Sequence, residues 1–203
     1  CEYFVIDAGW YAAAGEDWSR TIGSWLPSES RWPHGIKFVL DKIRGAGMVP
    51  GLWIEPEVAG VRSLLAQKPD NWFFIRHGKR VLKNSRYLLD FRNPEVRNYL
   101  DLVVSRLVDE YGVGYLKMDY NVDSLQGTEL TSDSFGQGLL EHSRAYLMWV
   151  TSTLDRYPNL ILENCGSGGG RMDYAMLSRF HIQSVTDQED YLKLPAILTG
   201  ASA

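Results

Sequence analysis

The feature that most constrains this fold is a regular alternation of short apolar segments with segments of helical period. Five apolar segments are typical of buried strands and lie near residues 3–6, 48–54, 114–118, 160–163 and 181–184. Apolar residues recur at helical spacing over about 36–43, 94–107 and 137–157, with shorter helices expected near 173–177 and 190–198. Region 69–89 shows no clear period and predicts a hairpin or an irregular excursion. The alternation predicts parallel strands joined by helical crossovers.

Two folds fit this pattern, a (β/α)8 TIM-type barrel and an open doubly wound sheet. Polar residues follow the predicted strands, among them Asp7, Glu55, Asp119 and Asp187. A barrel builds its active site from the carboxyl ends of several strands, whereas an open sheet concentrates its site at one switch point. We therefore predict a barrel. A closed barrel needs eight strands and about 250 residues, so the single domain, residues 1–203, is expected to be a partial barrel.

Composition and charge exclude several function classes. A net charge of −4 gives no sign of a nucleic-acid surface, and no apolar run is long enough to span a membrane. The two cysteines, Cys1 and Cys165, do not imply a disulfide framework, which favours a reducing, cytoplasmic location. The chain does not begin with Met, and we expect it to be part of a longer polypeptide.

Two acidic residues at separate strand ends carry the chemical prediction. Asp119 follows the apolar strand 115–118, and Asp187 follows the strand 181–184. Glycoside hydrolysis needs such a pair, one group at the anomeric carbon and one that protonates the leaving oxygen. Lys117 shares a strand face with Asp119, and we expect its charge to keep Asp119 ionised. The alternative for either aspartate is a helix cap or an exposed loop charge.

A glycine-rich loop follows the fourth predicted strand, from Cys165 to Arg171. Its backbone N–H groups could cradle a phosphate, as in a phosphosugar enzyme. The residues around it are carboxylates, which favours a loop that lets a sugar approach the backbone. Glu55 and Glu57 could bind a hard metal with Asp7, but a salt bridge or a sugar-hydroxyl acceptor is favoured. The histidines lack paired metal spacing, His142 is predicted to be a surface or packing residue, and we expect no metal and no cofactor.

Taken together, these motifs resemble glycoside hydrolase family 36, the α-galactosidases or melibiases of clan D. The resemblance runs from Tyr3 to the end of the chain. It is carried by four segments, GLWIEPE at 51–57, LKMDYN at 116–121, ENCGSGGGR at 163–171 and TDQED at 186–190.

This resemblance implies a retaining hydrolase of terminal α-galactosides of the raffinose and melibiose type. It implies that Asp119 forms the glycosyl-enzyme intermediate and that Asp187 is the acid/base. It also implies that Lys117 binds sugar hydroxyls and that Trp53 is an aromatic platform for the sugar. The remaining residues expected to bind the oligosaccharide are Asp7, Trp10, Arg86, Asn121, Cys165, Gly168 and Asp190.

The sequence departs from the family pattern in two ways. The family carries two adjacent aspartates where this chain has Asp7-Ala8. Losing one charge-assisted acceptor costs about 1.5–3 kcal/mol, so a related α-glycosidase with altered sugar preference is an alternative. By the resemblance the chain covers only the second to sixth βα units, so a truncated, inactive barrel is another. For the full-length protein the resemblance allows a homo-oligomer, since enzymes of the family often assemble into oligomers.

Overall fold

The computed structural model describes residues 1–122 and 127–201, which follow the predicted alternation of strands and helices. Each of the five predicted strands lies within one residue of its expected start. The elements in chain order are β1 Tyr3–Ile6, α1 Ile36–Gly45, β2 Val49–Ile54, β3 Val58–Gly60, β4 Ile75–Arg76, β5 Lys79–Arg80, β6 Leu82–Lys83, β7 Arg86–Leu88, α2 Pro94–Ser105, β8 Tyr115–Met118, α3 Phe135–Arg156, β9 Ile161–Asn164, α4 Tyr174–Leu177, β10 Ile182–Gln183 and α5 Leu194–Ala201.

Five of these strands form a parallel sheet in the order β1-β2-β8-β9-β10. Their spatial order equals their chain order, so the described strands contain no switch point of the kind that a doubly wound sheet has. Ile54, Met118 and Asn164, the last residues of β2, β8 and β9, stand side by side in register. The residues that follow these strands therefore emerge at one edge of the sheet.

The helices α2, α3 and α4 begin after residues whose side chains cap them. Asn93 accepts the N–H of Glu95 at 2.9 Å, and Pro94 occupies the first position of α2. The buried face of α2 consists of Val96, Leu100, Val103 and Val104, which lie within the region 94–107 predicted to be helical. α3 begins at Phe135, two residues before its expected start, because the hydroxyl of Ser134 caps it through Gln137 N. No helix within the described ranges has both the length and the apolar character that a membrane span needs.

Region 69–89 contains short antiparallel strands, so the hairpin alternative is the better description. β4 pairs with β5, and β7 pairs with both β3 and β6. β3 was not predicted, because a strand of only three residues is too short to show a period. Region 69–89 matters for the site because it folds back toward the carboxyl end of β2. Arg86, the first residue of β7, is thereby placed next to Glu55, which follows β2.

The last helix begins later than predicted, at Leu194 instead of residue 190. Asp190 accepts the N–H of Leu192 at 3.0 Å and so closes a turn before the helix. Pro195 then lies in the first turn of α5, where its missing N–H is tolerated.

Candidate active site

A cleft of about 640 Å³ opens at the carboxyl edge of the sheet. Its lining residues are Asp7, Ala8, Trp18, Trp53, Asn84, Arg86, Lys117, Asp119, Asn121, Asp187 and Glu189. Seven of the eleven predicted site residues are among them, including both proposed catalytic acids. A smaller cavity of about 260 Å³ borders Gly114 and Leu160, which precede β8 and β9 at the other edge, and no carboxylate side chain lines it.

Asp119, directly after β8, is the most closely surrounded acid of the cleft. Its Oδ2 accepts the indole Nε1–H of Trp53 at 3.0 Å and Nδ2 of Asn121 at 2.8 Å. Its Oδ1 accepts the backbone N–H groups of Tyr120 at 2.8 Å and Ser167 at 3.3 Å. Burial acts to raise the pKa of Asp119, but the hydrogen bonds, led by those from Asn121 and Trp53, outweigh it and hold the pKa below its usual value. The carboxylate is therefore ionised at neutral pH.

Lys117 was expected to keep Asp119 ionised, and the structure gives it a different partner. Its Nζ bonds Oδ2 of Asp7 at 2.9 Å, across from β8 to the end of β1. Burial lowers the pKa of Lys117, but the bond to Asp7 outweighs this and leaves the pKa raised. Hydrogen-bond donors, and not this ammonium group, are the main cause of the low pKa of Asp119. Lys117 and Asp7 together form one charged wall of the cleft.

Glu55, directly after β2, lies below the cleft and is fully buried. Its Oε1 accepts the backbone N–H of Asn121 at 2.7 Å and Nη1 of Arg86 at 3.3 Å. Burial raises the pKa of Glu55 to about 7, and the negative charges of Asp119 and Glu57 act in the same direction against the lowering effect of Arg86 and the Asn121 N–H. Sequence reasoning favoured a salt bridge over a metal ligand here, and the salt bridge to Arg86 is present.

Glu57, two residues later, fixes the glycine-rich loop. It forms a salt bridge with both terminal nitrogens of Arg171, the last residue of that loop. Its Oε2 also lies 2.9 Å from Nε2 of His142, which is buried on α3, so that of the two predicted positions, surface or packing, the packing position is present. Because Nδ1 of His142 accepts the N–H of Phe91, Nε2 is the nitrogen that donates to Glu57. Burial acts to raise the pKa of Glu57, but Arg171 and His142 lower it to about 2.

The glycine loop packs against the backbone that carries Asp187. Gly168 has φ +79°, and a Cβ there would lie 2.6 Å from Cα of Thr186 and 2.8 Å from N of Asp187. At Gly168 the chain itself therefore makes a close approach that requires glycine. Since Ser167 of the same loop donates to Asp119, the loop connects the surroundings of both acids. Asp187 itself is exposed on the cleft wall.

Three further predicted residues do not line the cleft. Trp10 is 1% exposed and donates its indole N–H to the carbonyl of Trp53, so it lies in the core. Cys165 is buried under the loop, where burial and the charge of Asp119 raise the pKa of its thiol to about 11. Asp190 closes the turn before α5 and pairs with Lys193. Gly168, described above, is likewise absent from the lining residues.

Trp53 also differs from its predicted role. It is 1% exposed, and its indole N–H is directed at Asp119, so it acts as a hydrogen-bond donor and not as an open platform. Trp18 packs edge-on against it, lies below the guanidinium of Arg86 at 5.1 Å, and lines the cleft. Sequence reasoning missed Trp18, Asn84 and Glu189. Trp18 begins a 3-10 helix of three residues and Asn84 lies in a turn, and neither segment is long enough to show a period, whereas Glu189 stands within the TDQED segment.

No group of three histidine, cysteine or acidic side chains suited to a metal ion occurs in the parts of the chain that the structure describes. Of the acids that line the cleft, Asp7 is paired with Lys117, and Asp119 accepts N–H donors that include the indole of Trp53. The arrangement therefore offers an ionised carboxylate, a second exposed carboxyl group and a charged wall around a space of sugar size.

Comparisons with known proteins agree with this chemistry. The melibiase family model matches residues 1–203. The α-galactosidase of Escherichia coli is 30% identical in an alignment 203 residues long, which covers 99% of this chain and 28% of that protein. Probable α-galactosidase C of Aspergillus terreus is 31% identical and covers 98% of this chain and 27% of its own length.

The fold has a counterpart in solved structures. The crystal structure of the α-galactosidase from Lactobacillus brevis matches with a TM-score of 0.87 and 28% identity, over 99% of this chain and 27% of that one. The chain thus spans about a quarter of the length of these relatives. The family resemblance inferred from the motifs is confirmed, since the family model covers the whole chain: this chain belongs to the melibiase family.

Proposed function

We propose that this chain forms the catalytic centre of a retaining α-galactosidase, with Asp119 as nucleophile and Asp187 as acid/base. The observation that carries the proposal is that four N–H donors hold Asp119 ionised on the wall of a cleft that Asp187 also lines. In such a double displacement Asp119 attacks the anomeric carbon while Asp187 protonates the leaving oxygen. Asp187 then takes a proton from the water that releases the sugar from the Asp119 ester.

The proposed substrate is a terminal α-galactoside of an oligosaccharide, of the raffinose or melibiose type. The relatives named α-galactosidases support this class. In this chain the paired Asp7 and Lys117 offer an acceptor and donors for sugar hydroxyls, and Arg86 and Asn121 lie deeper in the same cleft. No step of the proposed reaction uses a metal or a cofactor.

We further infer that the parallel sheet is the second to sixth unit of a (β/α)8 barrel. The strand order without reversal supports this, as do the polar residues gathered at the carboxyl ends. Strands supplied by the rest of the natural protein would complete the barrel and the far wall of the cleft.

The proposed nucleophile can be tested by azide rescue in the natural, full-length protein. We expect Asp119→Ala to lower kcat for an aryl α-galactoside by a factor on the order of 10⁴ or more. Sodium azide should restore turnover and yield β-galactosyl azide, because azide attacks from the face that Asp119 occupied. Asp133→Ala, at an exposed aspartate remote from the cleft lining, is the matched control. Near-parental turnover of Asp119→Ala, or an α-configured azide product, would refute the assignment.

A second candidate, an α-glycosidase with altered sugar preference, is favoured by one observation. Ala8 lines the cleft beside Asp7, whose carboxylate already pairs with Lys117. Restoring a carboxylate with Ala8→Asp should raise kcat/KM for a galactoside relative to its glucoside by about 10- to 100-fold, if a hydroxyl there lacks an acceptor. An unchanged ratio in a protein that already prefers galactosides would dismiss this candidate.

A further inference from the structure

Glu55 is a buried acid that the double displacement does not use. It is 0% exposed, although it follows a strand whose neighbours end in the cleft. Only one of its oxygens is bonded, since Oε1 accepts both Asn121 N and Arg86 Nη1 while the buried Oε2 has no hydrogen-bond partner within the described residues. A proton on Oε2 would leave both bonds to Oε1 in place, so this geometry accommodates the neutral and the ionised forms.

Both partners of Glu55 belong to the cleft. Asn121, held by its backbone N–H, donates its side-chain amide to Asp119 at 2.8 Å and accepts the hydroxyl of Ser167 at 2.8 Å. Arg86 is 5% exposed and lines the cleft above Trp18, and Glu55 is the acid with which it forms a salt bridge. If the side chain of Glu55 moved, Asn121, which donates a hydrogen bond to Asp119, and Arg86, which lines the cleft, would therefore both be displaced.

Building on the proposed function, we propose that Glu55 is a positioning residue of the galactosidase reaction, which holds Asn121 against the nucleophile and Arg86 at the cleft wall. It acts through these two residues and does not contact the sugar. Its carboxylate form strengthens both bonds, because hydrogen bonds to an ionised acceptor are roughly twice as strong as neutral ones.

The charges that face Glu55 come from several elements. Arg86 approaches from β7, Asp119 from the end of β8, Glu57 from its own segment and Tyr11 from the loop after β1. Because burial and the two carboxylates bring the pKa of Glu55 to about 7, its charge changes within the working range of an enzyme at neutral pH. Below that pH Glu55 is neutral, as a glutamine would be.

The test compares Glu55→Gln and Glu55→Ala with the parent in the full-length protein, using an aryl α-galactoside. Glutamine keeps an acceptor for Asn121 N, so kcat/KM of Glu55→Gln should match the parent near pH 6. It should fall about fivefold below the parent at pH 8, where the parent gains the charge-assisted bonds. Glu55→Ala, which loses the acceptor at every pH, should lower kcat on the order of 100-fold relative to Glu55→Gln at pH 6.

A double-mutant cycle shows whether Glu55 acts through Asn121. If it does, Glu55→Gln at pH 8 should cost less kcat in an Asn121→Ala background than in the parent, because the bond it supports is already gone. A ratio of Glu55→Gln to parent activity that stays constant from pH 6 to pH 8, with fully additive effects in the cycle, would overturn the inference.

Measuring Asp119→Ala in parallel separates the two proposals. If Asp119→Ala is inactive while the Glu55 variants behave as the parent at every pH, only the role of Glu55 fails. If Asp119→Ala retains activity, the proposed function fails first. Should Glu55→Ala not fold, the pH-dependent ratio of Glu55→Gln decides the question on its own.

Discussion

Glu55 and Glu57 flank Pro56 at the end of β2 and are both buried, yet their pKa values move in opposite directions. The pKa of Glu55 is raised to about 7, and that of Glu57 is lowered to about 2. Burial acts against the charge of both acids, so burial alone does not explain why their pKa values move in opposite directions. Glu57 has Arg171 and His142 on its two oxygens, whereas Glu55 has one guanidinium at 3.3 Å and two carboxylates near it. Neighbours thus decide which buried acid is a permanent anion and which can titrate.

The difference assigns the two acids separate tasks. Glu57 joins β2 to the glycine loop through a charge pair with Arg171 that persists at ordinary pH values, and it joins β2 to α3 through its hydrogen bond with His142. Glu55 joins β2 to the donors around Asp119 through a group near its own titration point. When the surroundings move the pKa values of two neighbouring acids apart, one acid can serve as a permanent anion and the other as a group that titrates.

The largest expected effect is on stability, from breaking the pair of Glu57. Arg171→Ala leaves the Glu57 carboxylate buried beside His142 alone, and we expect it to lower the free energy of unfolding by about 3–5 kcal/mol. Arg144→Ala, which breaks the exposed pair with Glu141, is the matched control and should cost at most about 1 kcal/mol. Urea denaturation of the full-length protein measures both losses of unfolding free energy. Equal losses in the two variants would contradict the structural role assigned to Glu57.

The next effect is that Glu57 and Glu55 change the stability of the protein with pH in opposite directions. Glu57 has a folded pKa of about 2 against an ordinary value of 4.5, so its stabilising contribution is present above pH 4.5 and is lost as the pH falls through 2. The free energy of unfolding of the parent should exceed that of Glu57→Gln at neutral pH, and this difference should decrease by on the order of 3 kcal/mol as the pH falls over that range.

For Glu55 the sign is reversed. Its folded pKa of about 7 exceeds 4.5, so the folded protein holds the proton more tightly and loses stability as the pH rises from 4.5 to 7. Relative to the parent, the free energy of unfolding of Glu55→Gln should therefore rise by on the order of 3 kcal/mol between pH 4.5 and 7 and remain constant at higher pH. Urea titrations at several pH values provide the measurement, and curves of the same sign for both variants would contradict the account.

The smallest effect concerns the third acid, Asp119, which stays ionised through hydrogen bonds alone. Trp53→Phe removes one donor to a charged acceptor, worth about 1.5–3 kcal/mol. The pKa of Asp119 should rise, the acid limb of the kcat/KM profile should move to higher pH, and kcat should fall about 10- to 100-fold. Trp149→Phe removes the same kind of bond, to Asp101, away from the cleft and should leave the limb in place. An unmoved limb in Trp53→Phe would show that other donors suffice.

Strand ends were the part of the site that the sequence could predict. Asp119, Asn121 and Lys117 stand in or next to an apolar strand, and parallel pairing in chain order brings them to one edge. Sequence proximity to a candidate site residue was a poorer guide to which residues line the cleft, because it does not determine the direction of a side chain. Trp10 points into the core, and Asp190 turns back to close its own loop.

The charge state of Glu55 and Glu57 could not be read from their own segment. It depends on Arg86, 31 residues away, and on Arg171, 114 residues away. Arg86 reaches the cleft only because region 69–89 folds back as antiparallel strands, for which the sequence had no periodic signal. Local pattern predicted the five strands of the parallel sheet and the longer helices, whereas pKa values follow from partners that only the tertiary fold supplies.

The most direct test of the account is to trap the sugar on the protein. In the full-length protein with Asp187→Ala, an aryl α-galactoside with a good leaving group should galactosylate the enzyme faster than water can release the sugar. Mass spectrometry of the digested protein should then find one galactosyl group on the peptide that contains Asp119. A galactosyl group on another residue, or release of the aryl group with no labelled peptide at all, would contradict the account.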